Sequence, residues 1–296
     1  MKAMRALVCA GVLLTAPAPM IGFEGTLKLR SVSVDRNKLD KVTGGKAPDA
    51  EQTMAIMPDA LIGAKDANAE VFITSMYVSG AKVRMDAPLE KGKNGYAIID
   101  TQKNMTWFVV PSEQRYIEWS EADAKAMTEK MAQLEKMMKE RMASLPPEQR
   151  AQAEVILKNM KSGGEDAKID VKSTGKTQTV NGMQATAYEV KTDDETLVGW
   201  VTQDEPELTT MLRQVQQRME KMTPPAMRGR HSARTALSAK GFPVMVQSLD
   251  ADHYRVEEIT MVEKKPVSSD MFVVPKEFTK TTGRDAMKNV PAQPGP

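Results

Sequence analysis

Few residues in this chain have the type and spacing needed for bond-making chemistry. Its two histidines, His231 and His253, stand apart from any nucleophile, and neither has metal-ligand spacing around it. The single cysteine, Cys9, lies in an apolar run near the N-terminus. No Gly-x-Ser-x-Gly elbow, His-Glu-x-x-His pair or phosphate loop occurs. The cluster Asp193-Asp194-Glu195 falls where a strand pair must turn, and it reads as a solvated turn rather than a calcium site. No catalytic residue, cofactor site or metal site is therefore assigned, and an enzyme is the first reading to set aside. Methionine, by contrast, is abundant, at 23 of 296 residues. Its thioether chemistry admits two uses. Soft sulfur ligands select Cu(I), and Met127/Met131 and Met138/Met142 are spaced i,i+4. Unbranched, flexible side chains can also line an apolar space without fixing its shape. Leu134 and Leu145 interrupt the methionine series, and no histidine or cysteine lies near it, so the second use is preferred.

Helices must hold these methionines. Met127, Met131, Leu134, Met138, Met142 and Leu145 recur at spacings of three and four, which puts them on one face at about 100° per residue. Lys125, Gln133, Lys136, Lys139 and Glu140 take the other face. Ser120 and Asp123 form a capping-box start. Pro146-Pro147 break the helix, and a second arm with Ala153, Ile156, Leu157 and Met160 ends at Ser162-Gly163-Gly164. The spacing thus predicts a helical hairpin over 120–162. A further helix over 205–222 starts with Pro206 in its first turn and carries Leu208, Met211, Leu212, Val215, Met219 and Met222, ending at Pro224-Pro225. Residues 226–240, with Arg228, Arg230, His231 and Arg234, read as a basic loop, with a weaker reading as a contact for an anionic lipid headgroup.

The rest reads as β-structure. Strands are predicted at Phe23–Val34, Glu70–Val78, Lys82–Asp86, Gly95–Thr101, Met105–Pro111 and Arg115–Trp119. After the hairpin they resume at Lys168–Ser173, Thr177–Val180, Met183–Lys191, Thr196–Thr202, Phe242–Leu249, His253–Val262 and Met271–Val274. Asn181-Gly182 is the strongest turn signal. Residues 36–68 read as a long loop with a short helix near Asp49–Met57. Trp107, Phe108, Val109 and Val110 put apolar groups on both sides of one strand, so both sides must be covered. Strands beside their sequence neighbours make an antiparallel sheet, and the whole an α+β domain.

The N-terminus has the form of an export signal. Lys2 and Arg5 precede a short apolar run, Ala6 to Thr15, and small residues follow, so cleavage is expected between Ala16 and Phe23. Cys9 lies inside the run rather than at its end, which argues against lipidation. Removing Lys2 and Arg5 leaves basic and acidic counts equal at 39, which argues against a nucleic-acid binder. No other segment is long and apolar enough to span a bilayer. Periplasm or cell envelope is the expected location.

Four pieces together resemble a known family. They are Phe23-Glu24-Gly25-Thr26-Leu27; Val78 to Asp86; Ile98-Ile99-Asp100 with Met105 to Pro111 and Tyr116; and Gly241-Phe242-Pro243-Val244 with Glu257–Val262 and Asp270 to Pro275. This pattern is similar to an uncharacterised family of exported bacterial proteins with a LolA/LolB-like, outer-membrane lipoprotein-carrier fold. The resemblance implies a curved, open antiparallel half-barrel of about eight to eleven strands over 23–280. Helices would cover its concave side, and acyl chains of lipids or lipoproteins would lie in the cavity. Residues 1–22 would be the signal peptide and 281–296 a disordered tail. The expected lining is Met127, Met131, Leu134, Met138, Met142, Met211, Val215 and Met219, with Trp107 or Phe108 beneath. The alternative is an envelope protein-interaction or stress-sensing module without a ligand.

Overall fold

Short turns set the architecture. Asn181 and Gly182 both adopt positive φ, at 48° and 84°, the geometry that lets a two-residue turn match the twist of the strands it joins. Met183 then pairs directly with Val180. Gly80, at φ 56°, does the same between Ser79 and Lys82. The computed structural model describes residues 23–46, 48–88, 94–142, 150, 169–192, 195–222, 229–283 and 285. The expected signal peptide, the second arm of the hairpin with the turn before it, and most of the tail lie outside the described residues.

Among the described residues twelve strands form one open, curved sheet: β1 (Gly25–Asp35), β2 (Glu70–Ser79), β3 (Lys82–Pro88), β4 (Asn94–Asp100), β5 (Met105–Val110), β6 (Arg115–Ser120), β7 (Asp170–Val180), β8 (Met183–Lys191), β9 (Thr196–Thr202), β10 (Phe242–Leu249), β11 (His253–Glu263) and β12 (Thr279–Thr282). Their order is β12-β6-β5-β4-β3-β2-β1-β11-β10-β9-β8-β7. Two meanders are therefore joined where β1 pairs with β11. All neighbours are antiparallel except β12, which lies parallel to β6. This is the α+β class expected, with one strand more than the upper estimate. The addition is β12, whose first two residues precede the expected tail and whose Thr281 and Thr282 fall inside it. Met271–Val274, expected as a strand, lies instead largely in a 3-10 turn, Ser269–Phe272. Ser268 caps that turn, and Phe272 is buried in it.

The 36–68 segment contains three short helices, α1 (Leu39–Val42), α2 (Ala50–Met54) and α3 (Pro58–Gly63). Asp49 and Gln52 close a capping box at α2. The segment is pinned to the sheet by a buried polar network. The Gln247 side-chain amide donates to the Met54 carbonyl at 2.7 Å and to the Tyr254 hydroxyl at 3.0 Å, while Trp200 donates to its oxygen at 3.0 Å. Tyr254 in turn donates to the Ile56 carbonyl at 2.9 Å. Burial pushes the Tyr254 phenol well above its ordinary pKa, so it stays a donor at any working pH.

Three longer helices follow: α4 (Glu121–Met142), α5 (Pro206–Met222) and α6 (Gly229–Ser238). The 226–240 segment is thus a helix over most of its length, not a loop. Ala233 and Leu237 pack it on Val190, Leu197, Val201 and Val246. Gly199 makes this possible, since a Cβ there would lie 2.6 Å from the Leu237 side chain.

Candidate functional site

The two methionine helices sit side by side, and among the described elements α4 packs mainly on α5 and β6. Their starts follow the sequence. The Ser120 N–H donates to Asp123 at 2.9 Å, and the Asp123 N–H donates back to the Ser120 hydroxyl at 3.3 Å, the capping box expected at the start of α4. Its inward stripe is Ala124, Met127, Thr128, Met131, Glu135, Met138 and Met142, of which only Ala124 is fully buried. Leu134 lies at the margin, 41% exposed, and Met137 beyond it at 51%. On α5, by contrast, Leu208, Met211 and Val215 are fully buried, and Met219 is half-buried against the same core.

The sheet beneath shows the same gradient. Register places Leu27, Met76, Met85, Ala97 and Phe108 in one row across β1 to β5, all facing one side. Leu27 is 1% exposed and Met76 8%; Met85 and Ala97 are half-buried; Phe108 is 39% exposed. The neighbouring row, Val78, Val83, Ile99 and Thr106, is sealed. Leu27, Val78, Val83 and Ile99 share one core with the α5 residues Leu208, Met211 and Val215. One sheet face is therefore closed by α5 near β1 and opens toward β5 and β6, where α4 begins. Trp107 points the other way, and its indole N–H donates to Glu118 at 3.2 Å. Of the two aromatic candidates, the alternation of β5 puts Phe108 on the helix side.

A residue absent from the sequence-based set stands at the seam of the two helices. Arg218 on α5 is only 6% exposed. Its Nε and Nη2 are buried and find no hydrogen-bond acceptor among the described residues. Burial lowers its pKa, and the Glu121 carboxylate at the start of α4 pulls it back only through space. One turn earlier, the Gln214 side-chain oxygen is also buried and unpaired among the described residues. An unsatisfied buried polar group costs about 1–3 kcal/mol, and more when charged. The opposite flank of α5 is tied to the end of α6, although the Gln216 side-chain oxygen there is also buried and unpaired among the described residues. Arg213 donates to the Ser238 and Ala239 carbonyls, both at 3.2 Å, and Gln216 donates to the Ser238 hydroxyl at 2.8 Å. The signal for Arg218 was available: Met211, Val215, Arg218 and Met222 form a ladder of four, three and four, so a charge interrupts an apolar stripe.

Other candidates among the described residues make local pairings. His253 sits at the β10–β11 turn, 3.6 Å from Asp35 and 3.8 Å from Asp250. Arg234 of α6 pairs with Glu257 of β11. Burial pushes the Glu195 carboxyl up, while Arg234 offsets part of that rise. Arg84 donates to both Asp86 oxygens, to the Met271 carbonyl at 3.0 Å, and stacks 3.8 Å over the Tyr96 ring, which ties the 269–272 turn to β3. A cleft of about 180 Å3 lies at the start of α5, lined by Phe23, Glu24, Glu207, Lys264, Lys265 and Pro266; its wall is polar, with Lys264 paired to Glu205 at 2.8 Å. Among the described residues no three His, Cys, Asp or Glu side chains gather as a metal site, and no helix is long and apolar enough to cross a membrane.

An open, curved, mostly antiparallel sheet with helices laid over it defines the class: an α+β half-barrel. The chain belongs to the family described as a domain of unknown function, DUF4412, whose profile matches residues 96–278, more than half its length. No curated protein matches it. Among solved structures it is similar to PNGF-II in two crystal forms, at 10% and 12% identity and TM-scores of 0.35 and 0.34. It is also similar to the Mycobacterium tuberculosis lipoprotein LppX, at 7% identity and a TM-score of 0.30. The matches cover 89% of the chain for PNGF-II and 83% for LppX. The chain spans 32% of the length of PNGF-II and 89% of LppX. Likenesses at these scores carry no argument about ligand or activity.

Proposed function

We propose that this is an exported envelope protein that holds an acyl chain, of a lipid or a lipoprotein, between its sheet and its methionine helices. One observation carries the reading. A single row of apolar side chains runs from fully buried at Leu27 to 39% exposed at Phe108, and the helix beside its open end, α4, keeps its methionines only half-buried. Apolar surface left open on both the floor and the cover is surface a chain can fill. Each ligand CH2 taken out of water there would contribute about 0.8 kcal/mol, so a long chain binds without polar specificity. Methionines can repack around chains of different length and unsaturation. The carrier-fold resemblance of the sequence supports the same reading. Binding rather than catalysis is proposed, since the histidine and carboxylate groups described above hold turns and helices in place. The N-terminal leader supports export.

Native mass spectrometry of gently purified protein, with lipid extraction alongside, tests the proposal. Lipid should copurify and be lost when Met131→Asp and Met138→Asp are combined. Protein that carries no lipid, and takes up none when offered it, would contradict the reading. The exposed Met137 and Leu134 on the outer margin of α4 favour a second reading, a protein partner docked on that helix. In that case Met137→Lys would abolish partner capture and leave lipid content unchanged.

A further inference from the structure

The geometry points to Arg218 as the anchor for the acidic head of the bound chain: an oxyanion, carboxylate or phosphate, seated at the seam of α4 and α5. The inference rests on the acyl-ligand reading above and adds the end of the ligand that reading leaves undefined.

Arg218 is an expensive residue as it stands. A guanidinium carries five N–H donors in a planar fork. Here Nε and Nη2 are buried and unpaired among the described residues, and no carboxylate of those residues lies within salt-bridge distance. Among the described residues the acid whose charge reaches it is Glu121, which is exposed at the start of α4 and acts only through space. Three half-buried arginines are treated differently. Arg30 donates to Glu258 at 2.6 Å and to Asp59 at 2.9 Å, and Arg84 holds Asp86, a carbonyl and a ring. Arg234 pairs with Glu257. Arg218 is more deeply buried than any of these and lacks such partners among the described residues, on the helix that packs beside α4 and within reach of the Glu121 charge.

Its surroundings match an amphiphile. On α5 it is flanked by Met211 and Val215, both buried. On α4, the half-buried Met127 and Met131 follow along the helix from Glu121, whose charge reaches Arg218. A chain lying along that stripe would bring its head to the guanidinium. Two oxygens of a carboxylate or phosphate match the fork through parallel N–H···O bonds, which a hydroxyl head cannot do. The Arg218 charge persists at neutral pH despite its lowered pKa, because the guanidinium titrates far above that range.

The test uses three probes of equal chain length on the full mature protein: oleate, oleyl alcohol and oleoyl lysophosphatidate, with affinities read by titration calorimetry or native mass spectrometry. Wild-type protein should bind at least one of the two acids tenfold or more tightly than the alcohol. The tighter acid then identifies the head as carboxylate or phosphate. Arg218→Met should bring that acid down to the affinity of the alcohol while leaving the alcohol unchanged, and Arg218→Lys should retain part of the preference. Thermal melting of Arg218→Met should match or exceed wild type, because an unpaired buried charge has been removed. Equal binding of acids and alcohol by wild type would overturn the anchor while leaving the acyl site standing. So would acid binding that survives Arg218→Met, or a lowered melting temperature with the preference intact. Failure of all three probes to bind wild type would overturn the acyl site and the anchor together.

Discussion

The helices α4 and α5 are written in the same way and used differently. Each repeats methionine and leucine at spacings of three and four, each begins just after a strand, and each shows charge on its far side. Yet α5 buries Leu208, Met211 and Val215 almost completely, while α4 buries only Ala124 and leaves Leu134 and Met137 in solvent. The difference lies in what holds each one together. The 22 residues of α4 are almost all strong helix formers; Lys136–Glu140 braces its outer side at i,i+4, and Glu135–Lys139 at 2.7 Å ties the edge of the inward stripe to that side. It can remain helical with little burial. Thr209, Thr210 and Val215 weaken α5 locally, so it depends on the sheet. A stripe of methionines thus marks a helix able to cover something apolar. Composition on the other face decides whether the helix is fixed there or free to shift.

This contrast can be broken at several points. The largest effect should come from α5. Leu208→Ala opens a cavity in the main core and should cost about 2–5 kcal/mol in urea denaturation, whereas Met131→Ala on α4 should cost about 1 kcal/mol or less. Equal costs would erase the distinction between the two helices. Next is the seat of α6, which flanks α5. Gly199→Val forces a branched side chain into the fully buried Leu237 and should destabilise by about 1–3 kcal/mol. An unchanged melting temperature would mean that α6 does not lie on β9.

A smaller effect should appear in pH dependence near α6. The folded pKa of Glu195 is raised by burial, so between its ordinary value and the raised one the folded state holds the proton more firmly than the unfolded state. Stability from this group therefore falls as pH rises through the folded value, and the loss is complete above it. Glu195→Gln should gain on wild type over that interval and show a flatter stability profile. A profile that moves in the opposite direction would show that the pairing with Arg234 outweighs burial. The smallest effect is on the outer margin of α4: Met137→Lys should leave stability within about 0.5 kcal/mol of wild type.

Much of the fold was legible because hairpins announce themselves. Asn181-Gly182 and the alternation of β4 to β6 place their strands within a residue or two of the observed ends. The helix α6 was not legible, since its inward face is mainly Ala233 and Leu237 among arginines, and its reason to fold is the gap left by Gly199 on another element. Of the short helices of 36–68, the one expected near Asp49–Met57 is α2, while α1 and α3, four and six residues long, fall below the window in which a 3.6-residue period can be seen. Their anchor, Gln247, looks like an ordinary polar strand residue until Met54, Ile56 and Tyr254 are placed around it. β12 escaped because a parallel strand of four residues, mostly threonine, carries no apolar signal. The methionines of the site were legible as stripes, but their degree of burial was not. The seam residue Arg218 interrupts the ladder of Met211, Val215 and Met222, but a lone charge in a stripe also reads as its edge, and its unpaired donors decide between the two.

The central claim is that α5 is fixed core and α4 a cover that closes on an apolar chain. Amide hydrogen exchange read by mass spectrometry, on protein stripped of lipid and then reloaded with oleate, addresses both halves at once. In the stripped protein, amides of Glu121–Met142 should exchange rapidly and those of Pro206–Met222 slowly. Reloading should slow exchange across Met127–Met142 by tenfold or more, with little change in α5. Equal protection of the two helices in stripped protein, or exchange in α4 that is indifferent to the ligand, would contradict the account.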